Sequence, residues 1–173
     1  DGAVLTNSTV VANSDSALSV SWASLDCRNS ILGASGAGVP CVDIPESGWP
    51  DNTFYHGDHN LLLAVDGATV GPEWANADSL AQWQAFTGQD ANSLSEDPLL
   101  AYPSGLDFHL VPNSPCRDAG DNSVVVPGAV DIDGESRIVG SAVDIGADEF
   151  FDGPEIAVHN GETAAAGQIM DEQ

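Results

Sequence analysis

The feature that most constrains the fold is a repeat near the start of the chain, with a period of about 22 residues that lies within the range of solenoid repeats. One such shift places "LTNSTVVA", which contains Asn7, on "CRNSILGA", which contains Asn29, and aligns Asn, Ser and the final Ala. "NLLLAV" begins at Asn60, farther from Asn29 than one period, and so requires an insertion as well. Short apolar strands at this period, with no helix between them, indicate a β-solenoid whose coils stack on one another. Asn suits the coil corners because it tolerates left-handed backbone; a β-sandwich is the alternative.

Around and after the third repeat the sequence no longer follows the repeat and predicts a loop and a helix. An inserted loop is predicted at about residues 33–52, where Pro and Gly in "CVDIPESGW" favour irregular structure. Downstream, "NADSLAQWQAFTGQD" predicts a short amphipathic helix over about residues 78–87, with Asp78 as its N-cap and Gly88 at its end. The helix is predicted to pack on the strands rather than to bind a ligand. Its apolar stripe consists of Leu80, Trp83 and Phe86.

The charge of the chain limits its partners. Among 173 residues there are 27 Asp and Glu, three Arg and no Lys, which gives a net charge of −24. This charge excludes nucleic acid, which requires a basic surface, and opposes unaided binding of acidic polymers. It favours solubility, bound cations or a salty medium. No apolar run approaches the ~20 residues of a spanning helix, so membrane insertion is not expected. The first residue is not Met, and we interpret the sequence as part of a larger parent chain.

The three cysteines leave two interpretations open. Cys27 and Cys41 could pair across the intervening loop, which would leave Cys116 unpaired. Alternatively, all three are small buried residues. The spacing of Cys and His gives no zinc motif.

Three phrases in the second half of the chain resemble a known family. They are "TGQDANSLSEDPLL", "DFHLVPNSPCRDAGDN" and "DIDGESRIVGSAVDIGADEF". In this order they resemble the C-terminal end of secreted bacterial right-handed parallel β-helix proteins, which are pectate-lyase-like solenoids of the choice-of-anchor Q type. The resemblance covers about residues 4–150, and Cys116 departs from it because the family usually has a small aliphatic residue there. The matching positions are Asp107, Phe108, Leu110, Ser114, Pro115, Asp118, Ala119, Gly120, Asp131, Asp133, Gly134, Arg137, Gly140, Asp144, Ile145, Gly146, Ala147 and Glu149.

The resemblance implies an all-β fold: the last coils of a right-handed parallel β-helix, one short helix and an irregular β closing cap. The coils are expected at residues 1–76, the helix and cap at 77–151, and a linker with the start of a truncated Ig-like module at 152–173. Export to the cell surface or the medium is implied, as are adjacent domains. The expected function is a non-catalytic structural or adhesive module that could contact polysaccharide. The alternatives are part of a polysaccharide lyase or glycoside hydrolase with its catalytic coils upstream, and a subunit of an assembly in which the tail adds a strand to its neighbour.

The segment 131–150 places six carboxylates around Arg137. One hypothesis is a calcium site at Asp131, Asp133 and Glu135, since two carboxylates separated by one residue occur in calcium loops. The spacing matches neither an EF-hand nor a nonapeptide calcium repeat. The preferred hypothesis is a structural clamp in which Arg137 binds carboxylates and carbonyl groups that close the fold. Its residues are Arg137, Asp131, Asp144 and Glu149.

The remaining candidates are two small constellations in the coils. Asp26 and Arg28 alternate along a strand, so their side chains point to the same face and could meet a ligand. With no lysine, only an arginine could act as the base of a lyase reaction. His56 and His59 flank Asp58 in "YHGDHN", where a metal could bind, but a loop that packs around Tyr55 is the preferred interpretation.

Overall fold

The computed structural model describes residues 2–20, 24–46, 54–151 and 153. Within these ranges, regular structure consists mainly of β-strands with one short α-helix, which confirms the all-β class. The strands of the first half are β1 (Ala3–Thr6), β2 (Thr9–Ala12), β3 (Leu18–Ser19), β4 (Leu25–Arg28), β5 (Ile31–Ser35), β6 (Val42–Asp43), β7 (Tyr55–Asp58) and β8 (Leu61–Val65). The later elements are α1 (Leu80–Thr87), β9 (Leu100–Tyr102), β10 (Asp107–Leu110) and the 3-10 helices Glu73–Ala75, Pro103–Gly105 and Asn122–Val124.

Three parallel sheets form the first half of the molecule. Their strand orders are β1-β4-β7, β2-β5-β8 and β3-β6, so that in each sheet a strand pairs with the third described strand after it. Strands β9 and β10 form a separate antiparallel pair. In the described residues the chain therefore visits the three sheets in turn before it returns to the first, and we call each such passage through the sheets a coil. The parallel pairing is consistent with the repeat.

The strand register confirms the first repeat and corrects the second. Ala3 pairs with Leu25, which is the predicted spacing from Asn7 to Asn29. Leu25 pairs with Tyr55, a shift one residue shorter than the predicted spacing from Asn29 to Asn60. His59, not Asn60, therefore occupies the third corner, and its φ of 51° matches the 50° of Asn7 and the 51° of Asn29.

Two segments that were predicted to be loops contain strands. Val42–Asp43, inside the predicted insertion, pairs with β3. Tyr55–Asp58, predicted as a packing loop, is the third strand of the first sheet. Its side chains alternate in the way a strand requires, with Tyr55 buried and His56 exposed.

The apolar side chains form two separate clusters. The larger one lies inside the coils, where inward residues of successive strands stack on one another. All three cysteines are buried and free, and Cys27 and Cys41 belong to this cluster. The smaller cluster joins the first residues of β5 and β8, Ile31 and Leu61, to the later part of the chain. Its other buried members are Leu110, Cys116 and Ile145.

Helix α1 is attached to the coils by a buried polar network. Ser79, rather than the predicted Asp78, caps the helix by a capping box with Gln82, and Gly88 ends it with a left-handed φ of 69°. Trp83 is fully buried and donates its ring N–H to Asp90 at 2.8 Å. Tyr55 donates its hydroxyl to the same carboxylate at 3.0 Å. Asn60, which was predicted to form the third corner, also donates to Asp90 at 3.0 Å. It therefore stabilises the buried network and does not form a corner.

No helix among the described residues is long and apolar enough to cross a bilayer. The expected Ig-like start at 154–173 lies outside the described residues, as does most of the expected linker.

Candidate functional site

Arg137 lies at the centre of the closing segment, which we define as residues 107–151. Its side chain is 2% exposed and donates to three backbone carbonyl groups, those of Ala147 at 2.8 Å, Gly146 at 3.0 Å and Asp144 at 3.1 Å. Among the described residues, none of its nitrogens forms an ion pair within 4.0 Å. The direct carboxylate pairing expected for the clamp is therefore replaced by hydrogen bonds to carbonyl groups.

The carboxylates expected to pair with Arg137 bind backbone N–H groups instead. Asp131 accepts from the N–H groups of Asp133 and Glu135 with one oxygen and from that of Glu149 with the other. Glu149 accepts from Val139 at 3.1 Å and from Asp144 at 2.9 Å. Asp144 in turn accepts from Asp118 at 2.6 Å and Phe150 at 2.8 Å. All four predicted clamp residues thus meet in one place, but it is the backbone of the closing segment that joins them.

Burial sets the electrostatics of this centre. It raises the pKa of Glu149 to about 7, against the opposing effect of two backbone N–H groups and of Arg137. Burial also lowers the pKa of Arg137, while Glu149 and the surrounding aspartates oppose that shift. The arrangement holds one cation and several carboxylates away from water, which suits a structural role better than contact with a substrate.

A cavity of about 210 Å³ opens beside this centre, and a histidine stands at its edge. Nδ1 of His109 lies 2.5 Å from Asp107, and Nε2 lies 2.9 Å from Asp133. Asp148, which is 5% exposed, accepts the N–H of Leu110 at 2.7 Å. The hydrogen bond that the His109 ring donates to Asp107 is the largest cause that raises the pKa of His109, whereas burial raises the pKa of Asp148.

The cavity modifies the metal hypothesis. Among the described residues, one group offers three metal-ligating atoms within 4.8 Å of one another, and it consists of His109, Asp133 and Asp148. Asp131 and Glu135, predicted as ligands beside Asp133, are not in that group. Asp131 uses both oxygens on backbone N–H groups, and Glu135 lines the cavity. Sequence reasoning missed His109 and Asp148, although the alternation of Asp107 and His109 in "DFHLVP" places both on one face of a strand.

Asp26 and Arg28 lie together on the outer face of the first sheet, as predicted. The Arg28 side chain donates to Asp26 at 2.8 Å, and this bond is the largest cause that raises the arginine pKa. The strand register adds His56 beside Asp26 and Asp58 beside Arg28. Asp58 accepts from the backbone and side chain of Asn92. The predicted pair is therefore part of a charged row on this face, which we call the charged face.

The outer face of the second sheet is apolar. Gly33 in the centre of β5 leaves a shallow floor, and Val11 and Leu63 stand on either side of it. Together with Ile31, the segment 97–100 and Pro103 they line a groove of about 260 Å³. Val11 is 45% exposed. We call this surface the apolar groove.

Searches of protein-family models, of curated proteins and of solved structures find no match to this chain.

Proposed function

We propose that this chain is the closing end of a right-handed parallel β-helix of the pectate-lyase-like type, and that it acts as a non-catalytic structural or adhesive module outside the bacterial cell. The closing phrases and the pairing of each strand with the third described strand after it support this proposal. Export follows from the resemblance alone.

The observation that favours the non-catalytic role over a lyase is that each of the three arginines has a structural partner. A lyase base must give up its proton, but the bond to Asp26 raises the pKa of Arg28. Arg117 stacks on the ring of Phe150 at 4.0 Å and donates to the carbonyl of Pro112. Arg137 is buried among carbonyl groups. Each arginine therefore has a structural partner, and none is arranged as a base.

The apolar groove is the surface on which we place polysaccharide. A net charge of −24 repels acidic polymers, so a neutral polysaccharide is the ligand class that this surface favours. The pyranose rings of such a chain have apolar faces that could pack against the side chains of Val11 and Leu63, which line the groove. The charged face is where a substrate would lie if the lyase or hydrolase alternative were correct.

Electrophoresis through gels that contain neutral polysaccharide tests both parts of this proposal. We expect the protein to be retarded by a neutral glucan or galactan and not by polygalacturonate. Val11→Glu should reduce the retardation, whereas Val4→Glu is the matched control, because Val4 is 72% exposed on the first sheet.

A parallel assay for new reducing ends and unsaturated sugars tests the alternative. Product that forms in proportion to protein, and that Arg28→Ala abolishes, would replace the non-catalytic proposal by the enzymatic one. Retardation that is equal in the Val11 and Val4 variants would remove the groove as the contact surface.

A further inference from the structure

We propose that His109, Asp133 and Asp148 bind a divalent transition-metal cation, represented by Zn²⁺, and that Asp107 positions the His109 ring for this purpose. The proposal is independent of the polysaccharide function. It rests on the geometry of the cavity within the closing segment and on the chemistry of its donors.

The donor set suits such a cation. One imidazole nitrogen and two carboxylate oxygens lie within 4.8 Å of one another. Ligand atoms around a tetrahedral Zn²⁺ stand roughly 3.4 Å apart, given metal–ligand distances of about 2.0–2.2 Å. Nε2 of His109 and the Asp133 oxygen, now 2.9 Å apart, would therefore separate slightly to admit the ion. An imidazole donor favours zinc, copper, iron or nickel, whereas calcium prefers an all-oxygen set.

The His109 ring is held in the orientation that a metal ligand requires. Asp107, two residues earlier on β10, contacts Nδ1 at 2.5 Å and thereby turns Nε2 towards Asp133 and the cavity. A carboxylate on the second ring nitrogen is the usual arrangement behind a ligating histidine, because it fixes the tautomer and makes the free nitrogen more basic. Asp107 lies outside the three-ligand group and would act through His109.

Asp148 is also held in place within this group. It is only 5% exposed, and its Oδ2 is held by the N–H of Leu110. In the described part of the chain, no hydrogen bond engages its Oδ1. Glu135 and Glu149 line the same cavity and add negative charge. Bound metal would supply the positive charge that this group of carboxylates lacks, and water could complete the coordination.

The ligands come from distant parts of the chain, so the ion would act as a cross-link. His109 lies on β10, whereas Asp133 and Asp148 belong to the later segment 131–150. A metal ion between them would fix β10 to the end of the closing segment, and its binding energy would add to the stability of the fold.

Calorimetric titration of chelator-treated protein with ZnCl₂, at neutral pH and about 0.15 M NaCl to screen non-specific attraction, tests the proposal. We expect saturable binding of one ion per chain and a rise in melting temperature on saturation. Asp148→Asn and Asp133→Asn should abolish that binding, while the amide oxygen introduced at position 148 can still accept the Leu110 N–H. Asp107→Ala should weaken binding about 10–100-fold, as other losses of an outer partner do.

His109→Gln tests the imidazole directly, and His56→Gln is its matched control. His56 is an exposed histidine on β7, outside the three-ligand group, so its replacement should leave Zn²⁺ binding unchanged. Circular dichroism of the metal-free variants should show that all of them fold. Absence of saturable binding, equal binding by the His109→Gln variant and the wild type, or displacement of Zn²⁺ by equimolar Ca²⁺ would overturn the proposal.

Discussion

The coils and the closing segment satisfy their backbone groups in different ways. In the coils, N–H groups of one strand bind carbonyl groups of the neighbouring coil, as when Ile31 donates to Ser8 in the preceding coil at 2.8 Å and Leu61 donates to Ser30 at 2.9 Å. In the closing segment, many N–H groups donate to carboxylates, and carbonyl groups accept from Arg137. The carboxylates involved are Asp107, Asp118, Asp121, Asp131, Asp144, Asp148 and Glu149.

The comparison shows two ways to build a stable backbone. A strand ladder requires only an extended backbone and an inward apolar face, and is insensitive to pH. A carboxylate that accepts backbone N–H groups can order an irregular chain, but its strength depends on ionisation. The abundance of acid in this sequence is therefore partly structural, and the two regions should respond differently to mutation and to pH.

Replacement of Arg137 by Met should cause the largest loss of stability. The change removes three donors from buried carbonyl groups and leaves Glu149 and Asp144 without a nearby cation. Loss of one member of such a buried charged group costs about 3–5 kcal/mol. Urea denaturation at neutral pH measures the effect. Arg28→Met is the control: its side chain is 26% exposed and paired with Asp26, so it should cost about 1 kcal/mol or less. Equal losses in both variants would contradict the central role of Arg137.

Replacement of Leu62 by Ala tests the coil side of the comparison. Leu62 is fully buried on β8 within the larger apolar cluster, and truncation of such a side chain costs about 2–5 kcal/mol. Because no titrating group is removed, the loss should be similar at pH 5 and at neutral pH. Leu106→Ala, at a site 79% exposed, should change the free energy of unfolding by less than about 0.5 kcal/mol. A loss that changed strongly with pH would mean that the coils and the closing segment do not differ as described.

Glu149→Gln should reveal the pH dependence of the closing segment. Because burial raises the pKa of Glu149 from 4.5 to about 7, the folded state binds a proton more tightly than the unfolded state. Stability should therefore fall as pH rises from 4.5 to about 7, by at most about 3–4 kcal/mol, given ~1.4 kcal/mol per pKa unit. Urea denaturation at several pH values should show a smaller slope in the variant, whatever its absolute stability.

Other titratable groups in the closing segment also contribute to the pH dependence of stability. The raised pKa values of Asp144, Asp148 and His109 add slopes of the same sign, so the variant should keep part of the dependence. Asp118 and Asp121 have lowered pKa values because hydrogen bonds favour their ionised forms. Their contributions are lost only as pH falls below 3.8, outside the window that tests Glu149. A slope that is unchanged in the variant would assign the effect to these other groups.

The sequence predicts the coils better than the closing segment, for a physical reason. A corner in left-handed backbone has a local residue preference, so Asn7 and Asn29 mark the period directly. The predicted third corner is wrong by one residue, because His59 and not Asn60 occupies it. Asn60 instead points inward and donates to Asp90 and to the carbonyl of Cys27. The same residue type can thus serve a turn or a buried network, and only tertiary structure distinguishes the two.

The closing segment shows what the sequence does not predict. The sequence predicts a clamp here but not the partners of Arg137, because each carboxylate has several backbone N–H groups within reach in the sequence. The cavity within this segment depends on contacts between residues far apart in the chain, such as His109 with Asp133. No local period connects such positions. The composition therefore predicts that carboxylates stabilise this segment, but it does not predict which N–H group each carboxylate binds.

Asn29→Ala should have the smallest of these effects and tests the junction of the two regions. The Asn29 amide donates to Asn7 in the coil below at 3.1 Å and to the carbonyl of Asp121 at 3.0 Å, and it accepts the Asp121 N–H at 2.7 Å. Loss of these bonds, with an Ala in left-handed backbone, should cost about 1–3 kcal/mol. Asn29→Gly separates the two causes, because Gly adopts this backbone without strain and lacks only the amide. Hydrogen exchange should then show faster exchange at Asp121 and Gly120 than in the wild type, with β5 and β8 unchanged. Faster exchange throughout the coils would mean instead that the corner supports the ladder and not the junction.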